Sequence, residues 1–345
     1  MKLCIAIDGV SNSGGTDRVV SLISSLFANQ NIDTTVISLS AGEPYYAFNN
    51  KVELKRFSSK IRFVSLLKSC FFIKKEKFDF VIVLSMGRLS AQLIPMLKLF
   101  NIQSKIICND HVSIKSFKKI IQWIKYPAYK IADAVVVLTN ADKKYLSNKI
   151  GDKVYVVRNI SPYEDVSFKK NLQGNGKKIA LAVGRLTYQK NFQRLIRLWG
   201  QAETKDWDLY IVGDGNEKEE IEELIKRVSK GNVFIKPPSK EINYWYESAS
   251  LLLMTSRYEG LPMVLIEAKN FGLPVISFDC ETGPSEIITN DGYLIEYSND
   301  SEFVNKLNML LLDKNQRDDL SENALINSRE FTKEKILYEW LKVLN

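Results

Sequence analysis

Short, mostly apolar runs alternate with amphipathic segments along this chain, and the pattern starts over near its midpoint. In the first half the runs are Leu3–Ile7, Thr35–Leu39, Phe80–Leu84, Lys105–Cys108, Ala134–Leu138 and Val154–Val157. Between them the spacing predicts helices at Asp17–Ala28, Lys60–Lys75, Arg88–Phe100, Ser116–Lys130 and Ala141–Asn148. A strand apolar on both faces must be covered on both, so helices between such strands are the crossovers of a parallel sheet. The second half repeats the scheme with strands at Ile179–Val183, Leu209–Val212, Val233–Ile235, Leu251–Met254, Val275–Ser277 and Tyr293–Ile295. Helices are expected there at Asn191–Trp199 and Glu217–Val228, and residues 301–345 read as helical throughout.

The stretch from Ser161 to Lys178 is polar, carries Pro162, Gly174 and Gly176, and reads as an interdomain linker. The expected fold class is therefore α/β, with two doubly wound Rossmann-like domains facing each other across a cleft. One covers residues 1–165 and the other 166–329, and a last helix at 330–345 can pack back on the first. A length of 345 residues suits two such domains. In each, ligand-binding loops are expected at the carboxyl ends of the strands.

The composition narrows the function classes. Hydrophobic content of 45% and charged content of 26% are those of a soluble globular protein. Met1-Lys2 runs straight into the first strand without a secretory pattern, and no apolar run reaches the roughly eighteen residues of a membrane span. Cys4, Cys70, Cys108 and Cys280 lack C-x-x-C spacing and read as reduced core residues. A single histidine without a ligand cluster speaks against a built-in zinc site. Charge is uneven: residues 1–165 hold 24 Lys and Arg against 13 Asp and Glu, a balance of +11, and the remainder holds 24 against 27, a balance of −3. The two halves are thus expected to meet different partners.

Thr255 to Glu267 reads T-S-R-Y-E-G-L-P-M-V-L-I-E, with Glu259 and Glu267 eight positions apart. A helix through this stretch would set both acids near one face, with Glu259 in the loop before it. The unpaired N–H groups of that helix's first turn favour an anion. Such an arrangement suits a ligand with an anionic middle and hydroxyls at both ends, as in a nucleotide-sugar.

Other strand ends carry weaker signals. Gly9 to Thr16, with Gly14 and Gly15, can bring backbone N–H groups to an anion or simply form a tight βα turn. It is not the G-x-G-x-x-G dinucleotide fingerprint, which leaves a dehydrogenase least favoured. Gly184-Arg185-Leu186 and Lys190-Asn191 set two cations where they can grip phosphates, against the alternative of solvated charges. Gly213-Asp214-Gly215 can admit a ligand to the backbone or form a turn, with nothing in the sequence to favour either. His111, the only histidine, sits at the end of a predicted strand, where it can touch substrate. In Ser113 to Tyr129, Ile114, Phe117, Ile121 and Ile124 recur at helical spacing beside Lys115, Lys118, Lys119, Lys125 and Lys130. That stripe can face the core of an ordinary helix, the more natural reading, or lie on anionic lipid.

Taken in this order, these motifs resemble family 4 of the retaining glycosyltransferases, which have the GT-B fold. The resemblance runs nearly end to end and is strongest from Ala182 to Leu294. It matches the family's E-x7-E signature to Glu259 and Glu267. Its phosphate-gripping Arg and Lys fall on Arg185 and Lys190, its Gly-rich first loop on Gly14-Gly15 followed by Arg18, and its cleft histidine on His111. Thr282-Gly283-Pro284-Ser285-Glu286-Ile287-Ile288 is similar to a segment common in members that build bacterial capsule, O-antigen and related glycans.

The resemblance implies that the second domain binds a nucleoside-diphosphate sugar. Glu259, Arg185, Lys190 and His111 would be the catalytic set. Glu267 would hold the ribose. Gly14, Gly15, Gly184, Gly213, Asp214, Gly260, Leu261, Met263 and Val264 would line the donor site. Lys236, Pro237 and Ile242 would meet the base. At Ile235 to Pro238 the chain departs from the glycine-bearing loop usual there, and the Gly-Pro-Ser-Glu segment implies UDP. The two cations would take the place of a metal, and there is no D-x-D motif at a strand end, so neither metal nor other cofactor is expected.

The reaction implied is retaining transfer of a hexose or N-acetylhexosamine to a hydroxyl of a lipid-pyrophosphate-linked saccharide in surface polysaccharide synthesis. It would take place in the cytoplasm, peripherally on the anionic inner-membrane surface, with no nucleic acid partner. The alternatives are a GT-B sugar-nucleotide epimerase and a non-enzymatic basic membrane- or nucleic-acid-binding protein that keeps the fold.

Overall fold

The computed structural model describes residues 1–163, 178–228 and 231–345. Most of the expected linker, and the boundary placed at residue 165, lie outside the described residues. The chain divides into two compact units, one of Met1–Ile160 with Lys333–Asn345 and the other of Ser161–Thr332.

The first unit runs β1 (Lys2–Ile7), α1 (Gly15–Asn29), β2 (Asp33–Ser38), β3 (Glu53–Arg56), α2 (Arg62–Glu76), β4 (Phe80–Ser85), α3 (Arg88–Leu99), β5 (Lys105–Asp110), α4 (Lys119–Ile131), β6 (Ala134–Val137), α5 (Asn140–Ile150) and β7 (Val154–Val156). The seven strands form one parallel sheet in the order β3-β2-β1-β4-β5-β6-β7. Alternate residues point to opposite faces, so Cys4, Val83 and Cys108 join the core under α2, α3, α4 and α5.

The second unit runs β8 (Lys178–Val183), α6 (Phe192–Gln201), β9 (Trp207–Val212), α7 (Lys218–Val228), β10 (Val233–Lys236), α8 (Ile242–Ser248), β11 (Leu251–Met254), α9 (Met263–Asn270), β12 (Val275–Asp279), α10 (Pro284–Ile287), β13 (Gly292–Glu296), α11 (Asp300–Leu312) and α12 (Lys314–Asn327). Its six parallel strands are ordered β10-β9-β8-β11-β12-β13. Trp199, Trp207, Phe278 and Phe303 anchor the core on one face of this sheet. The last helix, α13 (Lys333–Leu344), belongs to the first unit, where Trp340 meets Phe27 of α1 edge to face at 5.7 Å.

Both sheets reverse their strand order once, between β1 and β4 and between β8 and β11. Loops diverge at such a point and leave a crevice outside the strand ends, where open α/β sheets take their ligands.

Two local expectations are corrected. Strand β3 had no apolar run to reveal it: Glu-Leu-Lys-Arg is a short, polar, charged edge strand, the form that resists edge-to-edge pairing. The helix expected over Ser116–Lys130 is broken. A 3-10 turn at Ile114–Ser116, capped by the Ser113 hydroxyl, leads through extended Phe117 into α4.

Candidate functional site

In the second unit the loops after β8 and β11 flank the point where strand order reverses. They are stitched together. Arg257 N–H donates to the Gln189 carbonyl at 2.8 Å, and the Arg257 guanidinium stacks 3.9 Å over Tyr188 and donates to its carbonyl. The Thr255 hydroxyl donates to the Asn191 carbonyl at 3.1 Å. Lys190 Nζ therefore reaches Glu259 Oε1 at 2.6 Å, and Gln189 Nε2 lies 3.4 Å from Oε2. Glu259 is buried, and from behind the Thr282 hydroxyl donates to its carbonyl at 2.7 Å. Arg185 is exposed and makes no ion pair among the described residues.

The glycines explain how the loops come so close. At Gly213 an added Cβ would stand 1.8 Å from the Gly184 carbonyl oxygen, and at Gly215 2.3 Å from that of Leu186. The space beside both is filled by protein backbone, so their structural role is close loop packing. Gly184, at φ +156, leaves room for the Lys190 stem, whose carbons would lie 3.1–3.2 Å from a Cβ there. Gly213 N–H in turn donates to the carbonyl of Lys236 at 2.9 Å, so the end of β10 and Pro237 after it adjoin this glycine, with Ile242 opening α8 beyond. Asp214 is exposed, and its carboxylate accepts from Gly215 N–H at 2.9 Å.

The two signature acids do not share a helical face. α9 begins only at Met263, after Pro262, so Glu259 stands in the loop beside Lys190. Glu267 is buried on α9 and accepts a 2.6 Å hydrogen bond from Tyr246 of α8. Gly260 and Leu261 lead into α9, which Met263 and Val264 open and whose first turn has no side-chain cap. The segment after β12 is pressed against them: Gly283, at φ +96, would place a Cβ 2.4 Å from the Gly260 carbonyl oxygen.

In the first unit, Gly14 caps α1 at an ordinary φ of −76, Gly15 opens the helix, and Asp17 accepts from Asn12 N–H at 2.8 Å. His111 follows β5 and is buried, with Nε2 unpartnered among the described residues. Burial pushes its pKa down to about 4, so the ring is neutral at physiological pH. The four cysteines are buried and free, and burial raises their thiol pKa values, that of Cys70 to about 11. Among the described residues no three His, Cys, Asp or Glu converge as metal ligands.

Gln189, Thr282 and Tyr246 escaped the sequence. Gln189 lies beside Lys190 and Thr282 opens the Thr282–Ile288 segment, but neither neighbourhood names a partner for its side chain. Tyr246 lies 21 positions before Glu267 and belongs to no motif.

Chemically, the described residues of this crevice offer a cation without an ion pair among them, a paired cation, a buried carboxylate and the uncapped start of a helix, a set that fits an anion carrying hydroxyl groups. Residues 164–326 match the family of glycosyl transferases group 1. Over the whole chain, 46% of 355 aligned positions are identical to the amylovoran biosynthesis glycosyltransferase AmsD of Erwinia amylovora, covering 100% of this chain and 99% of that one. This chain belongs to the group 1 glycosyltransferases. It is 26% identical, over 100% of its length and 98% of the relative's, to a Campylobacter jejuni protein. That protein is the GalNAc-α-(1→4)-GalNAc-α-(1→3)-diNAcBac-PP-undecaprenol α-1,4-N-acetyl-D-galactosaminyltransferase. Among solved structures, Anabaena HepE in complex with UDP and glucose superposes with a TM-score of 0.81 at 16% identity, covering 100% of this chain and 99% of that one. The fold of this glycosyltransferase is GT-B.

Proposed function

We propose that this glycosyltransferase moves a hexose or N-acetylhexosamine from UDP to a hydroxyl of a lipid-pyrophosphate-linked glycan in surface polysaccharide synthesis. It works in the cytoplasm at the inner face of the membrane, retains the anomeric configuration and requires no metal. The observation that carries the reading is the Lys190–Glu259 pair where strand order reverses in the second unit, with Arg185 exposed in the same loop after β8. The C. jejuni relative's undecaprenol-linked acceptor and the amylovoran relative's pathway support the acceptor class.

In this reading Arg185, free of ion pairs among the described residues, and Lys190 neutralise the charge that grows on the departing diphosphate. The N–H groups opening α9 bind the same anion, Glu259 accepts from the sugar hydroxyls, and Glu267, held by Tyr246, accepts from the ribose. Lys236, Pro237 and Ile242 meet the base. The acceptor falls to the first unit, where neutral His111 can accept or donate a single hydrogen bond. The acceptor oxygen attacks on the face the diphosphate leaves, and a leaving-group oxygen takes its proton.

Calorimetry with UDP, GDP and ADP in the presence of EDTA tests the donor half: UDP binds best without metal, and binding that requires metal refutes it. NMR of the product tests the stereochemistry, and an inverted linkage overturns retention. Conversion of the sugar nucleotide without any acceptor would favour the epimerase alternative.

A further inference from the structure

Helix α4 is built inside out. Its inward side carries Gln122, Lys125, Tyr126, Ala128 and Tyr129, and its outward side carries Ile120, Ile121, Trp123, Ile124 and Ile131. Trp123 is 77% exposed, Ile120 67% and Ile124 53%, whereas Lys125 is 1% exposed. Ordinary helices do the reverse, because apolar burial stabilises folding and burial of an unpaired charge opposes it. Positions 120, 123, 124 and 131 form one stripe along the helix.

Lys125 explains the orientation. Its Nζ lies 2.6 Å from Asp110 and 4.7 Å above the Phe117 ring. Asp110 also accepts hydrogen bonds from the Tyr129 hydroxyl and, at 3.2 Å, from Ser90. Turning α4 over would bury the isoleucines but strip Asp110 of its cation in a low-dielectric core. The buried pair thus holds an apolar stripe in solvent.

We infer that this stripe seats the enzyme on an anionic lipid bilayer; the inference rests on the lipid-linked acceptor reading above. Charge selects the occupant. Lys115, Lys118, Lys119 and Lys130 are exposed around the stripe, and no acidic residue occurs from Ser113 to Ala132. A second copy of this face would bring like charges together, whereas a bilayer offers anionic headgroups to the lysines and acyl chains to the isoleucines. The indole of Trp123 suits the boundary between the two. No described helix is long and apolar enough to cross a membrane, so α4 lies in the plane of the interface.

Flotation of the full-length protein with phosphatidylcholine vesicles, with and without phosphatidylglycerol, tests this. Binding is expected only with the anionic lipid, weakening with salt without vanishing. Brominated acyl chains should quench Trp123 fluorescence, with Trp123→Phe as the blank that carries the half-buried Trp245 and the buried Trp199, Trp207 and Trp340. The triple variant Ile120→Ser, Trp123→Ser, Ile124→Ser should partition roughly hundredfold more weakly while keeping its melting temperature.

Wild-type protein that ignores anionic vesicles, a triple variant that binds them equally, or absent quenching overturns the inference. So does a lipid-free dimer that the triple variant dissolves, since the face would then be a contact between copies. UDP affinity is measured on the same samples. If it persists while vesicle binding fails, the donor reading stands and only the docking surface falls.

Discussion

Replacing Lys125 with Met tests whether the buried ion pair sets the orientation of α4. Met keeps most of the lysine stem, so little cavity forms and the perturbation is the lost charge. Removing one partner of a buried pair costs about 3–5 kcal/mol, because the other charge stays in a low dielectric. Asp110 would still accept from Tyr129 and Ser90, which places the expectation at the lower end, about 3 kcal/mol. A unit of this size loses roughly 2–4 °C of melting temperature per kcal/mol, so the variant should melt about 6–12 °C below wild type. Adding Asp110→Asn removes the orphaned charge while keeping an acceptor for Tyr129, and should restore about half of the loss. Scanning calorimetry of the four proteins of the double-mutant cycle measures both numbers. Lys125→Met within about 2 °C of wild type, or a double variant no more stable than the single one, would refute the reasoning.

Gly213→Ala should cost about 2 kcal/mol or more and weaken UDP binding, because its Cβ falls 1.8 Å from the Gly184 oxygen. Gly14→Ala, whose Cβ would have nothing nearer than 3.9 Å, should stay within about 0.5 kcal/mol of wild type in urea unfolding. Glu267→Ala should weaken UDP affinity in calorimetry, and Tyr246→Phe should do so by a smaller factor, since its hydroxyl holds the carboxylate at 2.6 Å; equal affinity in all three removes the ribose role. Glu259→Gln should lower turnover and shrink the difference in affinity between UDP-sugar and UDP, whereas an unchanged difference would take Glu259 away from the sugar. His111 has its folded pKa depressed to about 4, below the ordinary 6.5, so the unfolded chain binds the proton first as pH falls. Its contribution is therefore full above pH 6.5 and is lost down to about pH 4, by roughly 3 kcal/mol; urea unfolding of wild type and His111→Gln across that window should show a shallower loss in the variant.

The strands were legible because a parallel strand buried on both faces leaves a run of apolar residues that nothing else in a soluble chain requires. Leu251–Met254 appears with the bounds its run implied. β3 was not legible, since an edge strand of Glu-Leu-Lys-Arg draws its stability from pairing with β2 and not from burial. The placement of Arg185, Lys190 and Glu259 in loops at strand ends was legible from the strand pattern. Their mutual geometry was not, because Lys190 and Glu259 are 69 positions apart and meet only after both loops fold. Gly213 and Gly215 could not be assigned from sequence, because a glycine that admits a ligand and one that admits a neighbouring loop look alike until that loop is in place. α4 was misjudged for the opposite reason. Helical spacing says that Ile121 and Ile124 share a face with their neighbours, but not which face is inward, and in sequence Lys125 looks like the surface lysines around it. One buried acid on a different element, Asp110, decided the question.

The Lys190–Glu259 pair bears on how such a crevice can serve transfer. In the free protein the carboxylate is buried and its charge is balanced by the lysine, so the site does not hold an unpaired buried charge while it waits. On the reading proposed above, an incoming diphosphate would draw Lys190 toward itself, and Glu259 would then lose its main cationic partner. Gln189 and the Thr282 contact to its carbonyl hold it in place but do not neutralise it. The donors at hand are the hydroxyls of the sugar carried by that same diphosphate. A nucleotide without a sugar would leave the carboxylate wanting, whereas a nucleotide-sugar satisfies lysine and glutamate in one step. On that reading the crevice is matched to the whole donor, and it would favour the departing diphosphate most when the negative charge that recruits Lys190 is largest, which is as the glycosidic bond breaks.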